Sequence, residues 1–416
     1  MSQQKNSSAD ALVLGAGIVG VCVALHLQKR GRATVLVDRR GVAEETSFGN
    51  AGLVQREGVY PYGFPHDFGA LLRYSFNRTI DAHYHPSAIP RIAPFLWLYW
   101  KHSRPARHRA IAHLYAKLIE HCLAEHEALA GEAGAMELFR RTGWMKIFRT
   151  ERERDVRFAE AERWRDEFGI NSALLNQKQI QEKEPHLAPV LVGALHFTDP
   201  IAAVDPQAVA LAYLQLFEKL GGRFVQGNAA TLEPGWRVLT ADGPVTARDA
   251  VIALGPWADA VTRRLGYDLP LAVKRGYHMH YRAAGRAVLN HPMLDTERGY
   301  FLAPMRRGIR LTTGAEFALR DGMKTPVQLN RAEPIARELF PLAERLDADP
   351  WMGSRPCTPD MMPIIGRAPR HERLWFAFGH AHHGFTLGPV TGRLTAELVC
   401  GEPPFVDPAP YRAERF

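Results

Sequence analysis

Residues 11–38 read "ALVLGAGIVGVCVALHLQKRGRATVLVD", and the order of textures within that stretch decides the fold class. "ALVL" is a short apolar strand; Val19, Val23, Leu25 and Leu27 give the next segment an apolar helical face; Gly31 suits its C-cap; "TVLV" is a second buried strand ending at Asp38. Between the first strand and the helix, Gly15, Gly17 and Gly20 stand in GxGxxG order. The first glycine permits the tight turn, the second lets backbone approach a pyrophosphate, and the third allows close helix–strand packing, with Ile18 and Val19 at the electropositive helix start. Asp38, followed by Arg39 and Arg40, stands where an acid accepts ribose hydroxyls. The hexapeptide alone is a weak signal, and a glycine-rich turn in an unrelated α/β protein is the competing reading. Strand, amphipathic helix and acid together make it a dinucleotide site, although FAD and NAD share the fingerprint.

Farther along, residues 41–80 are rich in glycine, proline and aromatics and read as a long ordered loop, and 90–140 read as helical. "GWMKIF" (143–148) is a strand, 151–168 a charged helix, and "DPQAVALAYLQLFEKLGG" (205–222) a helix capped by Asp205 and stopped by Gly221. "WRVLTADGPVT" signals a hairpin, "AVIALG" (250–255) a buried strand, 270–315 several β-rich runs, and about 330–346 and 387–400 a last helix pair. The expected architecture is α/β with an α+β insert. A Rossmann-like FAD- or NAD-binding domain (11–80, 200–268, 346–416) is interrupted by a mixed or antiparallel β substrate-binding domain (81–199, 269–345), after a disordered tail over 1–10.

Composition narrows the class. The 416 residues carry a net charge of +8 and four cysteines, Cys22, Cys122, Cys357 and Cys400, without any CxxC pairing. That argues against a disulfide framework or thiolate cluster and for a reducing, cytoplasmic setting. The polar first ten residues lack an apolar signal region, and no apolar run approaches the roughly 18 residues that span a bilayer. Between Asp81 and Glu120 there is no acid, while Arg91, Lys101, Arg104, Arg107, Arg109 and Lys117 surround "PFLWLYW" (94–100). Such a segment suits a membrane surface peripherally or a buried helical hairpin with a basic rim. No nucleic-acid module accompanies the charge, and oligomeric state is not legible.

"ETSFGNAGLV" (45–54) resembles the flavin-contacting loop of the D-amino acid oxidase and dehydrogenase superfamily. The resemblance assigns Thr46, Ser47, Asn50, Ala51, Gly52 and Leu53 to the pyrophosphate and the isoalloxazine, and so selects FAD. It extends over nearly the whole chain: Ala230 falls near an adenine contact, and "VIALGPWAD" (251–259) places Gly255 and Trp257 beneath the cofactor. The most specific match is "GSRPCTPDMMPIIG" with "FAFGHAHHGFTLGPVTGRLTAEL" near the C-terminus. The pattern is nearest to bacterial D-amino acid dehydrogenases, with glycine and sarcosine oxidases more distant. The cysteine that attaches flavin in sarcosine oxidases aligns with Gly353, so FAD is expected to be non-covalent.

In "FGHAHHGFTLGP" (378–389) no carboxylate or thiolate accompanies His380, His382 and His383, so no metal site is expected. The segment reads as a loop entering a helix, with Gly379, His383, Gly384 and Phe385 at the turn and Thr386 as its cap. By resemblance this helix start faces the flavin where reduction leaves negative charge, and His382 faces the substrate. Arg355, between a glycine-serine pair and a proline, matches the family's arginine for the substrate carboxylate, a task suited to a planar fork. Tyr300 matches a tyrosine sharing that carboxylate, and Tyr277 and His278 are weaker pocket candidates. The resemblance implies oxidation of a D-amino acid, or a D-proline-type imino acid, by hydride transfer to flavin N5 without an essential protein base. Electrons would pass to a quinone-type acceptor. An oxygen-using glycine or secondary-amine oxidase, and a non-catalytic flavin subunit of an electron-transfer complex, are the alternatives.

Overall fold

The computed structural model describes residues 7–416. At its centre four parallel strands run in the order Arg223–Glu233, Thr34–Asp38, Ser7–Leu14, Gly243–Ile252, and Leu374–Phe378 continues them in parallel. Arg237–Thr240 bridges two of these as an antiparallel hairpin, and Ile364–Arg367 closes the edge. The near-continuous apolar runs found in the sequence are what a parallel sheet covered on both faces requires. Helix Ile18–Lys29 packs on the sheet beside Gly384–Cys400 and Pro206–Lys219. Its Gly388 and Gly392 neighbours approach so closely that a Cβ at Gly392 would lie 2.6 Å from the Cys22 backbone.

The second sheet has eleven strands around Ala272–Ala283, which pairs antiparallel with Trp351–Cys357, Gly308–Thr313 and Leu342–Arg345. A small third sheet joins Leu53–Val54, Ile201–Ala203 and Phe139–Arg140. The α/β expectation with a largely antiparallel insert therefore holds; Asp205 caps its helix by accepting from the Ala208 amide as read, and Thr150 accepts from the Glu153 amide at the start of Glu151–Phe168.

Several boundaries move. Residues 7–10 of the expected tail belong to the first strand, and 1–6 lie outside the described residues. Helix Phe68–Ser75, capped by Asp67, stands within the expected loop. The last turn expected of 330–346 is a strand, Leu342–Arg345, after helix Val327–Leu339. Helices Pro105–Ile119 and Cys122–Glu132, given to the substrate domain, place Ile111, Tyr115, Leu118 and Leu129 in the same apolar cluster as Val21, Val23 and Leu394 of the nucleotide half. Conversely, Trp351–Cys357, given to the nucleotide domain, pairs along residues 272–278 in the other sheet.

Candidate active site

One cavity of about 1110 Å³ runs from the glycine turn to Arg355. At its nucleotide end Gly15 has φ +105°, and a Cβ there would lie 2.5 Å from the Ala253 carbonyl oxygen. A Cβ on Gly20 would lie 1.8 Å from the Gly15 oxygen, so the third glycine is fixed by contact with the first. The ladder of helix Ile18–Lys29 begins with Val21 N donating to Gly17 O, and the Ile18 amide is used by Ser47 Oγ at 3.0 Å. The Val19 and Gly20 amides precede that ladder, as helix geometry dictates, an arrangement that could hold an anion. Asp38 is partly committed within the turn: its Oδ2 accepts from Ala16 N at 2.7 Å and its Oδ1 from Arg40 N at 3.0 Å. Arg39 lies over the Trp257 ring at 4.6 Å, and both Arg39 and Arg40 pair with Glu45. Arg39, Gly255, Trp257 and Ala230 line the cavity, and Arg40 does not.

The 45–54 loop is held from behind. Arg310, pushed down to about 10 by burial, donates to the Phe48 and Asn50 carbonyls. Thr46 Oγ1 donates to Ser354 O, and Asn50 Oδ1 accepts from Gly52 N. Gly52 has φ +80° and passes so close to Ala203 that a Cβ would lie 2.3 Å from its oxygen. Thr46, Ser47, Asn50, Ala51 and Leu53 reach the cavity, while Gly52 only shapes the turn.

At the C-terminal turn the three histidines part company. His380 bonds Thr391 Oγ1 and His383 bonds Tyr115 Oη, both at 2.8 Å and both buried. His382 alone of the three turns its ring to the reactive end, 4.6 Å from the Tyr62 ring, and burial holds it neutral. Gly379 has φ +87°, and Ala381 takes φ +48° without a glycine's freedom, a strained position that swings His382 inward. Helix Gly384–Cys400 follows, with His383 at its cap. Thr386 is not the cap: its Oγ1 donates to Leu53 O and accepts from Gln55 N, tying the helix to the flavin loop. Pro389 deprives the Phe385 carbonyl of its helical donor, and His126 Nε2 supplies one at 2.8 Å. The Gly384, Phe385 and Thr386 amides precede the first helical bond, Leu387 N to His383 O, and Gly384 and Phe385 reach the cavity.

The reactive end rests on strand parity. Lys274 faces Arg355 and Gly276 faces Gly353 in antiparallel register, which puts these four on one side of the sheet. Arg355 leans across Gly276, where a Cβ would lie 2.6 Å from its Nη2. Its fork touches only the backbone oxygens of Arg275, Gly314 and Thr313, at 3.0–3.3 Å, and no described carboxylate pairs with it.

Three further expected residues are placed differently from Arg355. Tyr277 and Tyr300 belong to the opposite side and to the apolar cluster of Met279 and Leu302. The Tyr277 hydroxyl donates to Glu316 and accepts from Thr325 N, and Tyr300 lies beside the Arg149–Asp295 pair. Both line the cavity, as expected of Tyr277, but neither hydroxyl bonds Arg355; Phe301, in register with Thr312, lines it too. His278 has the right parity yet is covered by Trp351, stacked at 4.7 Å, and by Phe48.

Two residues escaped the sequence. Tyr62 is 58 % exposed and lines the cavity beside His382, its carbonyl anchored by Tyr99 Oη. Lys274 is buried in the cavity wall. Neither "AVKRGYHMH", whose Lys274 side also carries His278 and His280, nor "YPYGFPH" offered a signal for them. Elsewhere His83, His85 and Glu316 bring ligand-capable atoms within 4.8 Å. Glu316 is already engaged by Arg275, Tyr277 and Thr325, and a dication would face the buried guanidinium.

FAD fits this cavity: a glycine cradle that side chains would fill, two helix starts with free amides and a bonded loop between them match its phosphates and ring. The family model described as FAD dependent oxidoreductase matches residues 10–398. The chain is 31 % identical to a D-amino acid dehydrogenase of Methylobacterium radiotolerans, over 94 % of this chain and 96 % of that one. It is 28 % identical to a D-amino-acid oxidase of Bradyrhizobium diazoefficiens, over 97 % and 98 %. Its fold is similar to that of glycine oxidase from Geobacillus kaustophilus, with a TM-score of 0.74 at 21 % identity, covering 99 % of this chain and all of that one.

Proposed function

The chain belongs to the FAD-dependent oxidoreductases and uses FAD, and on that premise we propose that it oxidises D-amino acids, or D-proline-type imino acids, as a dehydrogenase. One observation carries the substrate class: a half-buried guanidinium fork, roofed by a glycine and free of any described carboxylate, opens into the cavity. Such a fork takes a carboxylate bidentately. FAD, once bound and non-covalent, supplies the two-electron acceptor. Arg355 holds the carboxylate, Tyr62 offers a hydroxyl beside it, and neutral His382 walls the reactive end without adding charge. The apolar surroundings favour the neutral amine and keep water from the α-carbon. Loss of two electrons and two protons leaves an imine, which for a primary amino acid water hydrolyses to a 2-oxo acid and ammonia and for a D-proline-type substrate is a cyclic imine.

We assign the electrons to a quinone, reached at a membrane surface. Helix Phe68–Ser75 buries none of its residues, and Phe68, Phe76 and Trp97 are 78 %, 63 % and 57 % exposed. Arg73, Arg78, Arg91, Lys101 and Arg104 lie among them in sequence, and Lys101 sits over the Trp97 ring at 4.2 Å, a pairing of apolar and cationic groups suited to anionic lipid. No described helix is long and apolar enough to cross a membrane.

Steady-state assays with a D-amino acid panel test this reading: quinone or dye reduction without peroxide is expected, and stoichiometric peroxide would instead make the protein an oxidase. Cosedimentation with anionic vesicles, lost in Phe76→Asp, is the expected sign of docking.

A further inference from the structure

The strand that carries Gly276 also presents a second cation with no place in a single-carboxylate clamp. Lys274 is 7 % exposed, lies opposite Arg355 in register and lines the same cavity. No described carboxylate pairs with it. Its Nζ has the Met361 sulfur at 3.8 Å, the Tyr99 ring centroid at 3.9 Å and that of Phe317 at 5.5 Å. Ring faces and a thioether favour a cation but carry no counter-charge.

The neighbouring residue shows how this chain treats a cation that is only structural. Arg275, on the other side of the same strand, meets Glu316 at 2.6 Å and the Leu319, Gly322 and Met323 carbonyls. A buried ammonium beside a half-buried guanidinium, both without an anion, is costly unless a ligand brings the missing charge. The α-carboxylate fills the Arg355 fork and leaves Lys274 uncompensated. Asp81, a carboxylate of the same cavity, is held by Tyr74 Oη and Arg73.

We infer that the cavity selects an amino acid bearing a second anionic group, with Lys274 as the specificity-determining residue for an acidic side chain. This rests on the amino-acid reading of the site. Cationic side chains are rejected by the same pair of charges.

The test uses FAD-loaded enzyme. Wild type should oxidise D-glutamate or D-aspartate with at least tenfold higher kcat/KM than the matching amides, and D-lysine least well. Lys274→Met should lower kcat/KM for the acidic substrate at least tenfold more than for its amide, and Lys274→Arg should restore part of the difference. No wild-type preference for acids overturns the inference. So does an equal loss on every substrate, which would make Lys274 part of the α-carboxylate clamp. A binding arm separates this inference from the parent reading: glutarate should perturb the flavin spectrum at lower concentration than butyrate, and Lys274→Met should erase the difference. If no amino acid is oxidised yet that difference is present and erased, the second-anion site stands and the amino-acid reading falls.

Discussion

The two ends of the cavity are built on different principles. The nucleotide end is made mainly of backbone: Gly15, Gly17 and Gly20 clear the space, and amides at two helix starts open toward the cavity. Its glycine turn is a single short stretch of sequence, with Gly15 and Gly20 fixed by atomic contacts. The substrate end is made of side chains, Arg355, Lys274, Tyr62 and His382, drawn from four segments and aimed by strand parity and a strained turn. A backbone site tolerates no side chain at its glycines, whereas a side-chain site tolerates substitution structurally and loses function in proportion to the charge removed.

The largest effect therefore belongs to the first end. Gly20→Val, whose Cβ would stand 1.8 Å from the Gly15 oxygen, should give no yellow, FAD-loaded protein; recovery of a normal flavin spectrum would break the contrast. Next, Arg355→Ala should keep the flavin and its spectrum while kcat/KM falls roughly a hundred- to a thousandfold, the scale of removing one partner of a desolvated charge pair. Loss of flavin in that variant would merge the two ends.

A pH profile sharpens the substrate end. Burial pulls Lys274 down to about 8, with Arg355 adding to the effect and Cys357 opposing it. The cation is present below that value and lost above it, so glutarate affinity should fall as pH rises through about 8 while butyrate affinity holds. Parallel curves for the two ligands would remove Lys274 from the second-anion role. Tyr62→Phe should cost about tenfold in kcat/KM, the scale of one hydrogen bond to a charged group. The smallest effect is expected of Tyr300→Phe: its hydroxyl has no described hydrogen-bond partner and faces away from the fork, so kcat/KM should stay within about twofold.

This contrast also explains what the sequence revealed. Gly15, Gly20 and Asp38 were legible because a local pattern carries their physics, whereas the 45–54 loop was legible only through the family resemblance. Arg355 was legible through its rigid Gly-Ser/Pro setting and the family resemblance. Tyr277 and Tyr300 reach the cavity wall, but the sequence does not show that their hydroxyls bond away from Arg355, because a shift of one residue along a strand reverses the side a residue faces. Tyr62 was missed because its position depends on bonds from Tyr99, Ser103 and His108 to the 61–64 backbone, contacts made only in the folded chain.

The most direct measurement is anaerobic bleaching of the FAD-loaded protein against D- and L-amino acids, glycine, sarcosine and both prolines. Selective bleaching by D-substrates, at least a hundredfold weaker in Arg355→Ala with its yellow colour intact, is the predicted result. Equal bleaching of that variant, or bleaching only by amines without a carboxylate, would contradict the clamp at the centre of the account.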